Sequence, residues 1–159
     1  IANFDEIAMN FILELSFIAG DRAIYDSLHA VISQAVIGYR LPRHRKNLLK
    51  YRIKTLLSKY IDTDLDIEID QAHFLLNAMT YPLVQLVLEH HQVFPSSPKR
   101  WLTQLKTNIP DDEYTLISKF LSHQCSKTEV ELLCDRYAGK LDSIIQDKPS
   151  AINRTTVLS

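Results

Sequence analysis

Glycine, cysteine and long apolar runs are all scarce in this sequence, and each scarcity closes off a class of protein. Three glycines in 159 residues leave no room for a Gly-rich phosphate loop. Neither a Gly-x-Ser-x-Gly elbow nor a His-Glu-x-x-His pair occurs. The only cysteines, Cys125 and Cys134, are too few for a disulfide framework. On one helix they would stand about 13 Å apart, beyond bridging reach, so they read as free thiols of a reducing compartment. No apolar run approaches the roughly 18 residues of a membrane span. The stretch 7–20 is broken by Asn10, Glu14 and Ser16, and no basic segment precedes it as in a signal peptide. The expected setting is intracellular, cytoplasmic or nuclear. The chain opens on Ile1, as expected of part of a larger protein.

Hydrophobic residues at 46% and charged residues at 23% are those of a globular protein. The length suits one domain, read as residues 1–147, followed by a polar tail over 148–159. Apolar positions recur at helical spacing almost throughout. Asn3 with Glu6 resembles a capping box ahead of Phe4, Ile7, Phe11 and Leu15, and Gly20 is the stop. Asp21 caps a second helix carrying Ile24, Leu28, Val31, Ile32 and Ala35, interrupted by Gly38 and Pro42. A third helix spans about 45–60, with Leu49, Ile53, Leu56, Leu57 and Tyr60 as its apolar stripe.

Residues 61–70 alternate apolar and acidic side chains, but no second strand is available to pair with them, so they read as an extended connection. Helices are then predicted over 72–79 and 82–92, separated at Pro82, and over 99–107 behind Ser97-Pro98. Another begins at 108–110 with the first-turn acids Asp111, Asp112 and Glu113. The last is capped by Ser126 and Glu129 and aligns Leu133, Tyr137, Leu141, Ile144 and Ile145. The expected fold is all-α, an irregular bundle or stack of helical hairpins of about eight helices. Residues 81–90 echo residues 114–123 at an offset of 33, the ankyrin period, which keeps a divergent ankyrin-like or other α-solenoid as the alternative.

Charge is distributed very unevenly under a formal sum of -1. Residues 40–60 hold eight cations (Arg40, Arg43, Arg45, Lys46, Lys50, Arg52, Lys54 and Lys59) and no acid. Residues 61–98 hold six acids and no Lys or Arg. Along the third helix the cations form two rows, Lys46-Lys50-Lys54 at i, i+4 and Arg45-Arg52-Lys59 at i, i+7. Such a surface meets an acidic protein, phosphates or an anionic membrane surface, or else it neutralises the downstream acids and those of residues 1–19.

No cofactor motif is found. His90-His91 reads as a helix C-terminus favoured by the dipole, its adjacent rings pointing about 100° apart. The one metal arrangement weighed is zinc held by His90, His123, Cys125 and Cys134. An enzyme site assembled from distant side chains would centre on His73, His90 or His123. Trp101 reads as a core anchor. The function expected is that of a non-catalytic helical protein–protein interaction domain, an acidic protein being one expected partner, binding through Arg40, Arg43, Arg45, Lys46, Lys50, Arg52, Lys54, Lys59, Lys99 and Arg100. The alternative is a nucleic-acid-binding domain using the same cations.

Overall fold

The computed structural model describes Leu13 and residues 20–141, and among these the protein is all-helical, without strands. Six α-helices follow in order: α1 (Arg22–Ala35), α2 (Arg43–Asp62), α3 (Ile69–His90), α4 (Trp101–Asn108), α5 (Asp111–Leu121) and α6 (Lys127–Ala138). A single 3-10 turn, Pro98–Arg100, leads into α4. The helix expected over 3–19, the residues Ile144 and Ile145, and the tail 148–159 lie outside the described residues.

The main departure from the sequence pattern is at Pro82. The two helices expected over 72–79 and 82–92 are one 22-residue helix, α3, with Pro82 inside it and buried. Proline removes one amide donor and usually breaks a helix. Here the two flanking turns are locked from outside, because every residue from Pro82 to Glu89 is buried. A helix covered on all sides loses its amphipathic period, which is why α3 reads poorly from periodicity. The 61–70 segment forms no strand, but it is not the extended connection expected: α2 runs on to Asp62, α3 begins at Ile69, and the residues between them turn back, the Glu68 amide donating to the Asp64 carbonyl at 2.7 Å. Among the described residues α6 ends at Ala138, where Gly139 takes φ +83°, so Leu141 does not continue it as expected.

Helices α2 and α3 make the most extensive contact, and α6 packs against both; α5 touches α3, α4 and α6. Ile53 and Leu57 of α2, Met79, Val84 and Leu88 of α3, Ile117 of α5 and Val130 of α6 are wholly buried there. Lys127 ties the two ends together: its ammonium donates to the carbonyls of Ile61 (2.8 Å) and Thr63 (2.5 Å) at the end of α2. Ser126 and Glu129 form the capping box expected for α6.

Helix α1 stands apart from this packing. Asp21 caps it through the amides of Ala23 and Ile24, and Arg22 pairs with Asp26 at 3.2 Å. Of its side chains only Ile32 is buried, while Ile24 is 66% and Val31 54% exposed. Helices with few buried contacts open locally at little cost. Backbone amides of α1 are therefore expected to exchange with opening energies of roughly 0–2 kcal/mol, and those of residues 83–88 only through global unfolding. Hydrogen-exchange mass spectrometry checks this, and equal protection of the two segments would contradict it.

Candidate functional site

The ten cations marked by the sequence are dispersed by the fold into different roles. The Lys46-Lys50-Lys54 row lies on the inward edge of α2. Lys46 pairs with the buried Glu89 of α3 at 2.8 Å, Lys50 is half-buried, and Lys54 is 2% exposed. Arg40 donates to the Glu89 carbonyl at 3.1 Å, so it too is engaged in holding α3. The ten cations therefore do not form one binding face: Arg40 and Lys46 hold α3, and Lys54 is buried. Helical geometry turns the Arg45-Arg52-Lys59 row roughly to the opposite side of α2. Arg43, Arg52 and Lys59 are exposed there and at the helix start. None of these three pairs with the acids of 61–70, contrary to the neutralisation weighed above.

One aromatic residue joins cations that are far apart in sequence. The Arg45 guanidinium donates to the Tyr81 hydroxyl at 3.2 Å. The Tyr81 ring, 43% exposed, lies 5.6 Å from the ring of Trp101, which is buried as expected. Lys99 and Arg100 form the turn immediately before Trp101 and are exposed. The Trp101 indole N–H donates to the Ser96 carbonyl at 2.9 Å, and Gln104 holds both the Ser96 amide (2.9 Å) and the Phe94 carbonyl (2.7 Å). This clamp fixes the 94–97 loop and with it the turn bearing Lys99 and Arg100. A shallow depression of about 420 Å³ is lined by Ser96, Arg100, Thr103 and Gln104. The start of α2, Tyr81 and the 99–100 turn therefore make one basic surface around an aromatic ring. Sequence reading gave Tyr81 no part in it, since Tyr81-Pro82 resembled an interhelix break.

The histidines assemble elsewhere. His91 lies beyond the end of α3, so it and His90 converge where adjacent helical residues would diverge. His91 Nε2 lies 2.8 Å from Glu113 Oε2, and the Tyr137 hydroxyl donates to the same oxygen at 2.5 Å. Arg136 donates to the other carboxylate oxygen at 3.2 Å, and the His90 ring meets Tyr137 edge-on at 5.5 Å. An ionised carboxylate only accepts, so the His91 ring presents its N–H to it. Burial alone would raise the Glu113 carboxyl, but the Tyr137 and His91 hydrogen bonds and the nearby positive charge hold it below its ordinary 4.5. Burial and the bond to Glu113 push the Tyr137 hydroxyl upward.

This cluster joins the ends of α3 and α6 to the first turn of α5, and its signature is structural. Stability from a carboxylate with a lowered folded pKa is present above about pH 4.5 and is lost as pH falls through the folded value. Tyr137→Phe is expected to cost about 1–3 kcal/mol near neutrality. The gap from wild type should narrow as pH falls below about 4.5 and through the lowered folded value, as Glu113 becomes protonated. Urea unfolding across pH checks it; a pH-independent gap would refute it.

His123 stands with His73, rings 4.6 Å apart, and its Nε2 is 3.1 Å from Asn77 Oδ1. Burial, with His73 beside it, lowers the His123 pKa. His90 and His123 thus serve different clusters, which overturns the zinc arrangement. Burial also pushes the Cys134 thiol up to about 12. Among the described residues no three or more His, Cys, Asp or Glu side chains are grouped to hold a metal, and no helix is long and apolar enough to cross a membrane. Comparison with known proteins finds no family model, no curated protein and no solved structure that matches this chain.

Proposed function

We propose that the chain is a non-catalytic helical protein–protein interaction domain that receives an acidic partner on the basic surface around Tyr81. The observation that carries this reading is the placement of Arg43 and Lys99 at that surface, with Arg52 and Lys59 extending it along the same side of α2. All four are exposed, and among the described residues none is in an ion pair. Charges so placed steer association and fix orientation more than they add affinity. We read the arrangement as an irregular helical bundle within one domain, 1–147, acting in the cytoplasm or nucleus without a cofactor.

A nucleic-acid ligand is the second reading, favoured by the half-exposed Tyr81 ring amid cations, since aromatic faces stack on bases. Fluorescence anisotropy with a labelled acidic peptide and with labelled single- and double-stranded nucleic acid separates the two. Peptide binding that falls about tenfold or more in the Arg43/Arg52/Lys59→Glu variant is the expected result. Tighter binding of nucleic acid, with a steep dependence on salt, would replace the first reading by the second. These positions are chosen because they leave the Lys46–Glu89 pair and Lys54 intact.

A further inference from the structure

We propose that the acidic partner is a second copy of this chain, whose 61–70 segment docks on the basic surface around Tyr81. The inference rests on the functional reading above and names the partner for it. Asp62, Asp64, Asp66, Glu68 and Asp70 are all exposed. Asp64 and Glu68 accept only local backbone bonds, from Asp66 N at 3.0 Å and from Asp64 N at 3.2 Å. Among the described residues none of the five acids is in an ion pair. Between them stand exposed aliphatic side chains, Ile67 at 80% and Ile69 at 48%.

The basic surface is the complement in both respects. Exposed apolar groups lie along the same segments as its cations: Leu48 between Arg43 and Arg52 on α2, Leu102 three residues after Lys99, and Tyr81 bonded to Arg45. Opposite charge with apolar groups on both sides gives register as well as attraction. One molecule cannot satisfy itself. The acidic segment leaves the C-terminal end of α2, whereas Arg43 and the Tyr81-bonded Arg45 lie at its N-terminal end, almost the full helix length of about 30 Å away, and even Arg52 stands about 15 Å along the helix from Asp62. A second molecule brings its segment to that end without rearrangement. The occupants this displaces, an unrelated acidic protein and nucleic acid, become outcomes of the test.

Two charge-reversed variants decide it in analytical ultracentrifugation: Arg43/Arg52/Lys99→Glu, and Asp62/Asp66→Lys. Wild type is expected to self-associate, and to do so about tenfold more weakly when salt rises from about 0.1 to about 1 M, which shortens screening from about 10 to about 3 Å. Each variant alone is expected to be monomeric. Mixed in equal amounts they should form a heterodimer, because one retains the acidic segment and the other the basic surface. A labelled peptide of residues 61–70 should bind wild type and lose binding to the Arg43/Arg52/Lys99→Glu variant. All substituted residues are exposed, and a melting curve close to wild type confirms that each variant is folded. A wild type monomeric at low salt, or a mixture that forms no complex, overturns the proposal. Binding of an unrelated acidic peptide but not of the 61–70 peptide overturns self-docking while the functional reading stands; binding of nucleic acid alone overturns both.

Discussion

Lys54→Glu is expected to destabilise the protein by about 3–5 kcal/mol or to abolish folding, while Lys59→Glu, five residues on, should change stability by less than about 0.5 kcal/mol. Both replace a lysine by an acid on the same helix, so the difference reflects burial together with the contacts that burial brings. Lys54 is 2% exposed and sits beside Ile53 and Leu57, which are wholly buried. A carboxylate there is removed from water at a site that holds a cation, and neither desolvation nor the local field favours it. Protonation would relieve the charge but leave a polar group in the core. Lys59 points outward, where its ammonium is hydrated and a carboxylate would be too. Urea unfolding of the two variants checks this. Comparable losses would show that Lys54 is solvated in solution and that the two rows of α2 are equivalent.

The contrast shows how far the sequence can be read. Capping residues act locally, and here they were legible: Asp21 begins α1 and Ser126 with Glu129 begins α6. Of the stripe Leu49, Ile53, Leu56, Leu57 and Tyr60, all but the partly buried Leu56 are buried as the spacing predicts, because this face of α2 packs on α3 and α6. Helix α3 was misread as two since Pro82 is a local breaker whose effect is overridden by burial on every side, and burial comes from residues distant in sequence. The site was legible as a charge excess and illegible as geometry. Two rows of cations look alike in spacing, and only the position of Glu89 on α3 decides which row turns inward. Tyr81 likewise gains its place from Arg45 and Trp101, 36 residues before it and 20 after.

The pair formed by Lys46 and Glu89 should show strong coupling. Glu89 retains only 5% of its side-chain exposure and lies 2.8 Å from the Lys46 ammonium, whose side chain is 37% exposed. Removing the lysine leaves a carboxylate in the core without its partner, a change that costs about 3–5 kcal/mol in a fully buried pair. Water reaches Lys46, so Lys46→Met is expected at the lower end, about 2–3 kcal/mol. Glu89→Gln keeps the shape and loses the charge, and should cost about 1–2 kcal/mol. The double variant, Lys46→Met with Glu89→Gln, should be more stable than the sum of the two by about 1–2 kcal/mol, since the stranded charge is gone. Arg40 bonds the Glu89 carbonyl, not its carboxylate, so its contact survives every variant and does not blur the cycle. Denaturant melts of the four proteins measure the coupling. An additive outcome would mean that the carboxylate is neutral or hydrated without Lys46, and that the anchoring of α2 on α3 is purely apolar.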